Sequence, residues 1–138
     1  AAGEGNIQIS GDATVASAIG GTYRINTLDS DEDIDYNGAI TATSSDFIAS
    51  KTASISGAID ISQDTVLNGK LDLDGSSAFS VTAYIEEGGG AGNIDVTNTS
   101  TGGVTFVNAL GTDYNSGTTQ ARYTHFHCLR RNEETGPH

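Results

Sequence analysis

Methionine and tryptophan are missing from this 138-residue chain, proline and cysteine occur once each, and lysine occurs only as Lys51 and Lys70. A single cysteine excludes an intrachain disulfide framework and a multi-cysteine zinc site. There is no run of about 20 apolar residues, the length that a membrane-spanning helix requires. Basic residues number 6 against 18 acids, a net charge of -12. Such a chain repels phosphate backbones, so nucleic acid is not an expected partner. Catalytic signatures are also missing: the chain has neither a Gly-x-x-x-x-Gly-Lys phosphate loop nor a Gly-x-Ser-x-Gly elbow. His127 and Cys128 are adjacent, so on a strand their side chains diverge and form no nucleophile–base pair. The sequence therefore reads as a non-enzyme.

Glycine, with 18 copies, is what the chain does have. Many glycines lead a short pattern of apolar residues at alternate positions. Gly5-Asn6-Ile7-Gln8-Ile9, Gly38-Ala39-Ile40-Thr41-Ala42 and Gly57-Ala58-Ile59-Asp60-Ile61 are three examples; others start at Gly21, Gly69, Gly92 and Gly102. Period-2 alternation after a glycine marks a half-buried strand leaving a turn. Asn37-Gly38, Asn68-Gly69 and Asp74-Gly75 have the composition of tight hairpin turns. Residues 12–19 are too short and too β-branched for a helix and read as a loop or single turn. The expected fold is all-β, with about seven to nine strands. Uneven spacing of the glycines argues against a strict solenoid. An antiparallel sandwich or jelly roll is the first expectation, and a β-helix, from one chain or wound from three, is the second.

Two regions differ in charge. Residues 1–121 hold all but two of the acids and form an acidic β domain, with residues 1–10 as a candidate donor strand. Residues 122–138 form a C-terminal arm with Arg122, Arg130 and Arg131, every histidine and the one cysteine. The start, Ala1-Ala2-Gly3, fits a chain cut from a signal peptide at a small-residue site.

Three clusters are candidate sites. Asp29, Asp31, Asp33 and Asp35 would share one side of an extended strand, and hard carboxylate oxygens suit Ca²⁺. Ile34 and Ile40 stand where a helix–loop–helix calcium loop needs glycine and glutamate, so the run departs from that pattern. Tyr114 and Asn115 are the best pair for a sugar such as a cell-surface glycan. Asn98-Thr99-Ser100 fits the glycosylation sequon. The third cluster is His125-Phe126-His127. Two histidines are too few to hold a metal alone, but three chains on an axis would supply six nitrogens for a transition metal. In this His-x-His pattern the chain resembles trimeric phage tail fibres and baseplate spikes, whose tips hold iron on the three-fold axis. That resemblance implies a trimer with His125 and His127 as ligands. Tyr123 stands where the family has glycine, and eleven residues follow the motif here.

The sequence as a whole points to a structural, self-assembling β-protein, a filament or fibre subunit outside a cell or on a virion. Its expected partner is itself, without membrane insertion. A small β domain with almost no lysine or proline lacks the usual edge blockers. Strand addition would then complete its edges, with Ile7 and Ile9 filling a groove in the next subunit. The stretch from Ala121 to Leu129 is the alternative donor. Virion decoration, a tail-fibre or spike role, and a carbohydrate-binding adhesion module are the alternative functions.

Overall fold

A computed structural model describes residues 4–48, 50–88 and 92–111, and the backbone of residues 127–130. Twelve strands follow one another: β1 (Asn6–Ile9), β2 (Ala13–Val15), β3 (Ile25–Ser30), β4 (Ile34–Tyr36), β5 (Ile40–Phe47), β6 (Thr52–Ile55), β7 (Ile59–Leu67), β8 (Lys70–Leu73), β9 (Phe79–Glu87), β10 (Asn93–Val96), β11 (Val104–Phe106) and β12 (His127–Arg130). Odd and even strands separate into two six-stranded sheets, ordered β1-β3-β5-β7-β9-β11 and β12-β10-β8-β6-β4-β2. Every pairing among the described residues is parallel. Each strand therefore pairs with its equivalent one turn later, roughly 20 residues on through most of the stack, and the chain winds as a β-solenoid.

The β-helix is thus the architecture found, and the antiparallel sandwich is not. The difference lies at the turns. A two-residue type I′ hairpin needs positive φ at both central residues. Neither Asn37 nor Gly38 has it, and neither does Asn68 or Gly69. These dipeptides are corners, where the chain passes from one sheet to the other without reversing. Glycine is needed at Gly38 for close approach. A Cβ there would lie 2.5 Å from Ser17 C and Ala18 N of the previous turn. At Gly57 it would lie 2.8 Å from Gly38 C. The same corner thus stacks backbone on backbone through three successive turns.

Residues 12–19 are also more than a loop. Ala13–Val15 is β2, and Ile19 makes an isolated parallel bridge to Ile40.

Alternation places one face of each strand inside. The second sheet stacks Val15, Tyr36, Ile55, Leu73 and Val96 in one inward column, and Ala13, Ile34, Ala53, Leu71 and Ile94 in another. Apolar side chains from both sheets form a single core. Burying a Leu or Ile side chain contributes roughly 1.5–3 kcal/mol, and most of the core belongs to these two types.

Some polar groups inside are paired, whereas Glu87 Oε2, Asp64 Oδ1 and Asn108 Oδ1 are buried with no hydrogen-bond partner among the described residues. Tyr36 donates its hydroxyl to Ser30 Oγ at 3.1 Å, and Ser45 Oγ donates to Thr65 Oγ1 at 3.1 Å. Burial is the main reason the Tyr36 phenol is pushed above its ordinary value, more than offsetting the Ser30 contact. β7 carries a bulge at Ser62-Gln63, two consecutive exposed residues beside register shifts on both flanks. Arg24 holds the adjacent strands. Its Nη1 donates to the carbonyls of Ala42 at 2.6 Å and Asp60 at 2.9 Å, and Nη2 lies 3.1 Å from Asp60 Oδ2.

Candidate functional site

Within the described residues, β1 and β2 have a strand neighbour on one side only. The β1 ladder to β3 uses the carbonyls of Gly5 and Ile9, which accept from Asn26 and Asp31. Since N–H and C=O groups of a parallel strand alternate sides, Asn6 and Gln8 direct theirs away from β3. In β2, Ala13 donates to Asp33 and Val15 accepts from Asn37, so Thr14 directs its backbone groups away from β4. The inward residues Ile7, Ile9 and Val15 pack against the core but are only half-buried. This turn thus combines an open hydrogen-bonding row with an incompletely covered apolar end.

Ile7 and Ile9 are accordingly side chains of this chain's own sheet, with Ile7 beside Leu28 and Ile9 beside Ser30. Part of the C-terminal arm is likewise built in, because β12 pairs with β10 and sets His127 beside Asn93. His125, Tyr114 and Asn115 lie outside the described residues, as does most of that arm.

The acidic run 29–35 wraps a corner instead of lying along one strand. Asp29 ends on β3, Asp31 and Asp33 sit at the corner, and Asp35 is on β4. Asp31 Oδ2 accepts from Gln8 Nε2 at 2.6 Å, and Asp33 Oδ1 accepts from the Thr52 N–H at 2.8 Å. Glu32 takes Lys51 at 2.6 Å. Three of the acids thus tie neighbouring turns together. Among the described residues, no three His, Cys, Asp or Glu side chains are grouped to hold a metal. Asp29 does have an acidic neighbour in register, Asp46 on β5. Asp46 counts as exposed, yet its carboxyl is partly desolvated against the sheet. That desolvation, with Asp29 and Asp31 adding repulsion, raises it above the usual carboxylate range. Asp74 is raised for the same main reason, followed by Asp72 and Asp35.

The sequon has a structural role. Asn98 is fully buried at 0% exposure. Its Nδ2 donates to the carbonyls of Asp74 at 2.9 Å and Ser77 at 2.8 Å, and its Oδ1 accepts from the Ser100 N–H and hydroxyl. The amide nitrogen that a glycan would need is already committed to the corner.

Sequence reasoning passed over one feature. A recess of about 310 Å³ opens at the β6–β8–β10 corner, lined by Ser50, Lys51, Thr52, Asn68, Gly69, Lys70 and Asn93. It contains both lysines of the chain. The signal was available: Lys51 and Lys70 stand one turn apart, and Thr52 is beside Lys70 in register.

The chain matches no protein-family model, no curated protein and no solved structure.

Proposed function

We propose that this β-solenoid is a non-enzymatic structural subunit that self-associates through the edge of its first turn, as part of a filament or fibre outside a cell or on a virion. The observation that supports this reading is the coincidence, in β1 and β2, of outward-directed backbone groups with half-buried Ile7, Ile9 and Val15. A second copy stacking there would continue both sheets and cover the apolar end. Neither strand carries lysine or proline, the residues that commonly block an edge. The acidic, lysine-poor composition keeps such a surface soluble while leaving the edge free to pair.

Proline tests this without disturbing the intrachain ladder. Proline is tolerated on an edge strand where the lost N–H faces away from the sheet. Thr14→Pro and Gln8→Pro each remove one outward donor. In sedimentation and negative-stain microscopy, the wild-type chain is expected to form concentration-dependent end-to-end assemblies, and each variant to remain dispersed, with little change in melting for Thr14→Pro and a modest loss for Gln8→Pro, which also gives up its side-chain bond to Asp31. A wild-type chain that stays monomeric at high concentration, or proline variants that assemble as readily, would overturn the proposal.

A further inference from the structure

We infer that the recess at the β6–β8–β10 corner is a binding site for a neutral, hydroxyl-rich ligand, a saccharide unit. This inference is independent of the assembly reading. The lining side chains, from Ser50, Lys51, Thr52, Asn68, Lys70 and Asn93, are all polar. The lysine stems and the Thr52 methyl place apolar surface beside these polar heads, which suits a ligand with both C–H and O–H faces.

The charges narrow the class further. Lys51 Nζ lies 2.6 Å from Glu32 Oε2, and Lys70 Nζ lies 2.6 Å from Asp95 Oδ2. Each lysine is raised above its ordinary value chiefly by that hydrogen bond, and further acids act on both: Asp33 and Asp12 on Lys51, Asp72 on Lys70. Both cations are thus already compensated, within a chain of net charge -12, so an anion such as phosphate meets a field of its own sign. A free cation gains little from carboxylates that lysines already neutralise. Vicinal hydroxyls suit this arrangement. Each hydroxyl both donates and accepts, the lysine ammoniums of the lining only donate, and the Ser50 and Thr52 hydroxyls do both. Asn68 and Asn93 add amide groups of both kinds.

The frame is preorganised. Lys70 N–H donates to Lys51 O at 2.9 Å, and Asn93 N–H to Gly69 O at 3.0 Å, so three turns hold the recess by backbone ladders. A Cβ on Gly69 would fall within 2.5 Å of Lys51 O, so glycine is required at its floor. Ser50, at the rim, is the only non-glycine described with positive φ, at 66°. Backbone in that region is strained for a residue with a side chain and is often kept at ligand sites. The volume is at the low end for small-molecule sites, about 300–1,000 Å³, which limits the ligand to a short saccharide. The lining contains no aromatic platform, so affinity rests on hydrogen bonds and falls in the weak range, Kd about 1 mM.

Amide NMR titration of the full chain tests this with D-galactose, D-mannose and N-acetyl-D-glucosamine, each to about 100 mM, well above that range. Inorganic phosphate at matched ionic strength is the control. At least one sugar is expected to shift the Lys51, Thr52, Lys70 and Asn93 amides saturably, while phosphate leaves them in place. Lys70→Gln and, separately, Asn93→Ala should each weaken that sugar about tenfold or more with the melting temperature retained; Asn93→Ala keeps the test valid if Lys70→Gln fails to fold. The inference is overturned if no sugar moves these amides, if the shifts survive substitution, or if phosphate moves them more than any sugar does.

Discussion

The middle turns and the first turn of this solenoid are written in the same alternating pattern but stand in different surroundings. In the middle, Leu28, Ile34, Ile55, Leu71 and Ile94 are almost completely excluded from solvent. In the first turn, Ile7, Ile9 and Val15 occupy equivalent inward positions and are only half-buried. The pattern fixes which way a side chain points. Whether that side chain is buried depends on there being a turn on each side.

Substitutions can break this comparison, and the largest effect belongs in the middle. Leu71→Ala should lower unfolding stability by about 2–5 kcal/mol, as expected for a fully enclosed leucine, measured by chemical denaturation. A loss below 1 kcal/mol would mean that the middle turns are as open as the first. Asn98→Ala comes next. It strands the carbonyls of Asp74 and Ser77, and buried groups left unpaired cost about 1–3 kcal/mol. Asn98→Asp should recover little, because a carboxylate cannot donate to those carbonyls. The first turn should give less: Ile7→Ala is expected to cost about 1 kcal/mol, since only part of its apolar area leaves water. If Ile7→Ala costs as much as Leu71→Ala in dilute monomer, the first turn is not the weaker region.

The smallest effect is electrostatic and sharpens the comparison through pH. Asp46 and Asp74 are raised in the fold, chiefly by desolvation. A carboxyl that binds its proton more tightly when folded favours the folded state below its unfolded value, and that contribution is lost as pH rises through the folded value. Asp46→Asn and Asp74→Asn should therefore raise the melting temperature at neutral pH. The gain should shrink as pH falls toward the ordinary Asp value of 3.8. The lysines act at the other extreme. Their raised values give stability that is present below 10.5 and lost above the folded value, so alkaline titration should loosen the Lys51–Glu32 and Lys70–Asp95 contacts.

Strand positions could be read from the sequence because alternation is local. Ile59, Ile61, Leu71 and Leu73 point inward as their spacing requires. Strand direction could not be read, because it depends on the residue one turn away. The glycine-led starts mixed two phases: those at 38 and 57 precede strands of one sheet, while those at 69 and 92 precede strands of the other. Counted together they look irregular, whereas 38 and 57 in one sheet and 69 and 92 in the other lie about one turn apart, and 102 follows 57 by two turns. Asn37-Gly38 was misleading for a related reason. A glycine that frees φ and a glycine that makes room for a neighbouring backbone look the same in sequence, and only the Ser17–Ala18 contact separates them. Side-chain roles that depend on distant partners were hidden likewise, as with Asn98 at its corner and the two lysines at their recess.

The stacked corner through Gly38 and Gly57 also decides where this molecule can change its length. Only three residues separate β4 from β5 and β6 from β7 there, whereas the same corner is longer after β2, β8 and β10. One extra residue at the tight places would disturb the close backbone stacking through Ser17–Ala18, Gly38 and Gly57. Insertions are therefore excluded at the waist, and new loops, tags or grafted epitopes have room only toward the two ends.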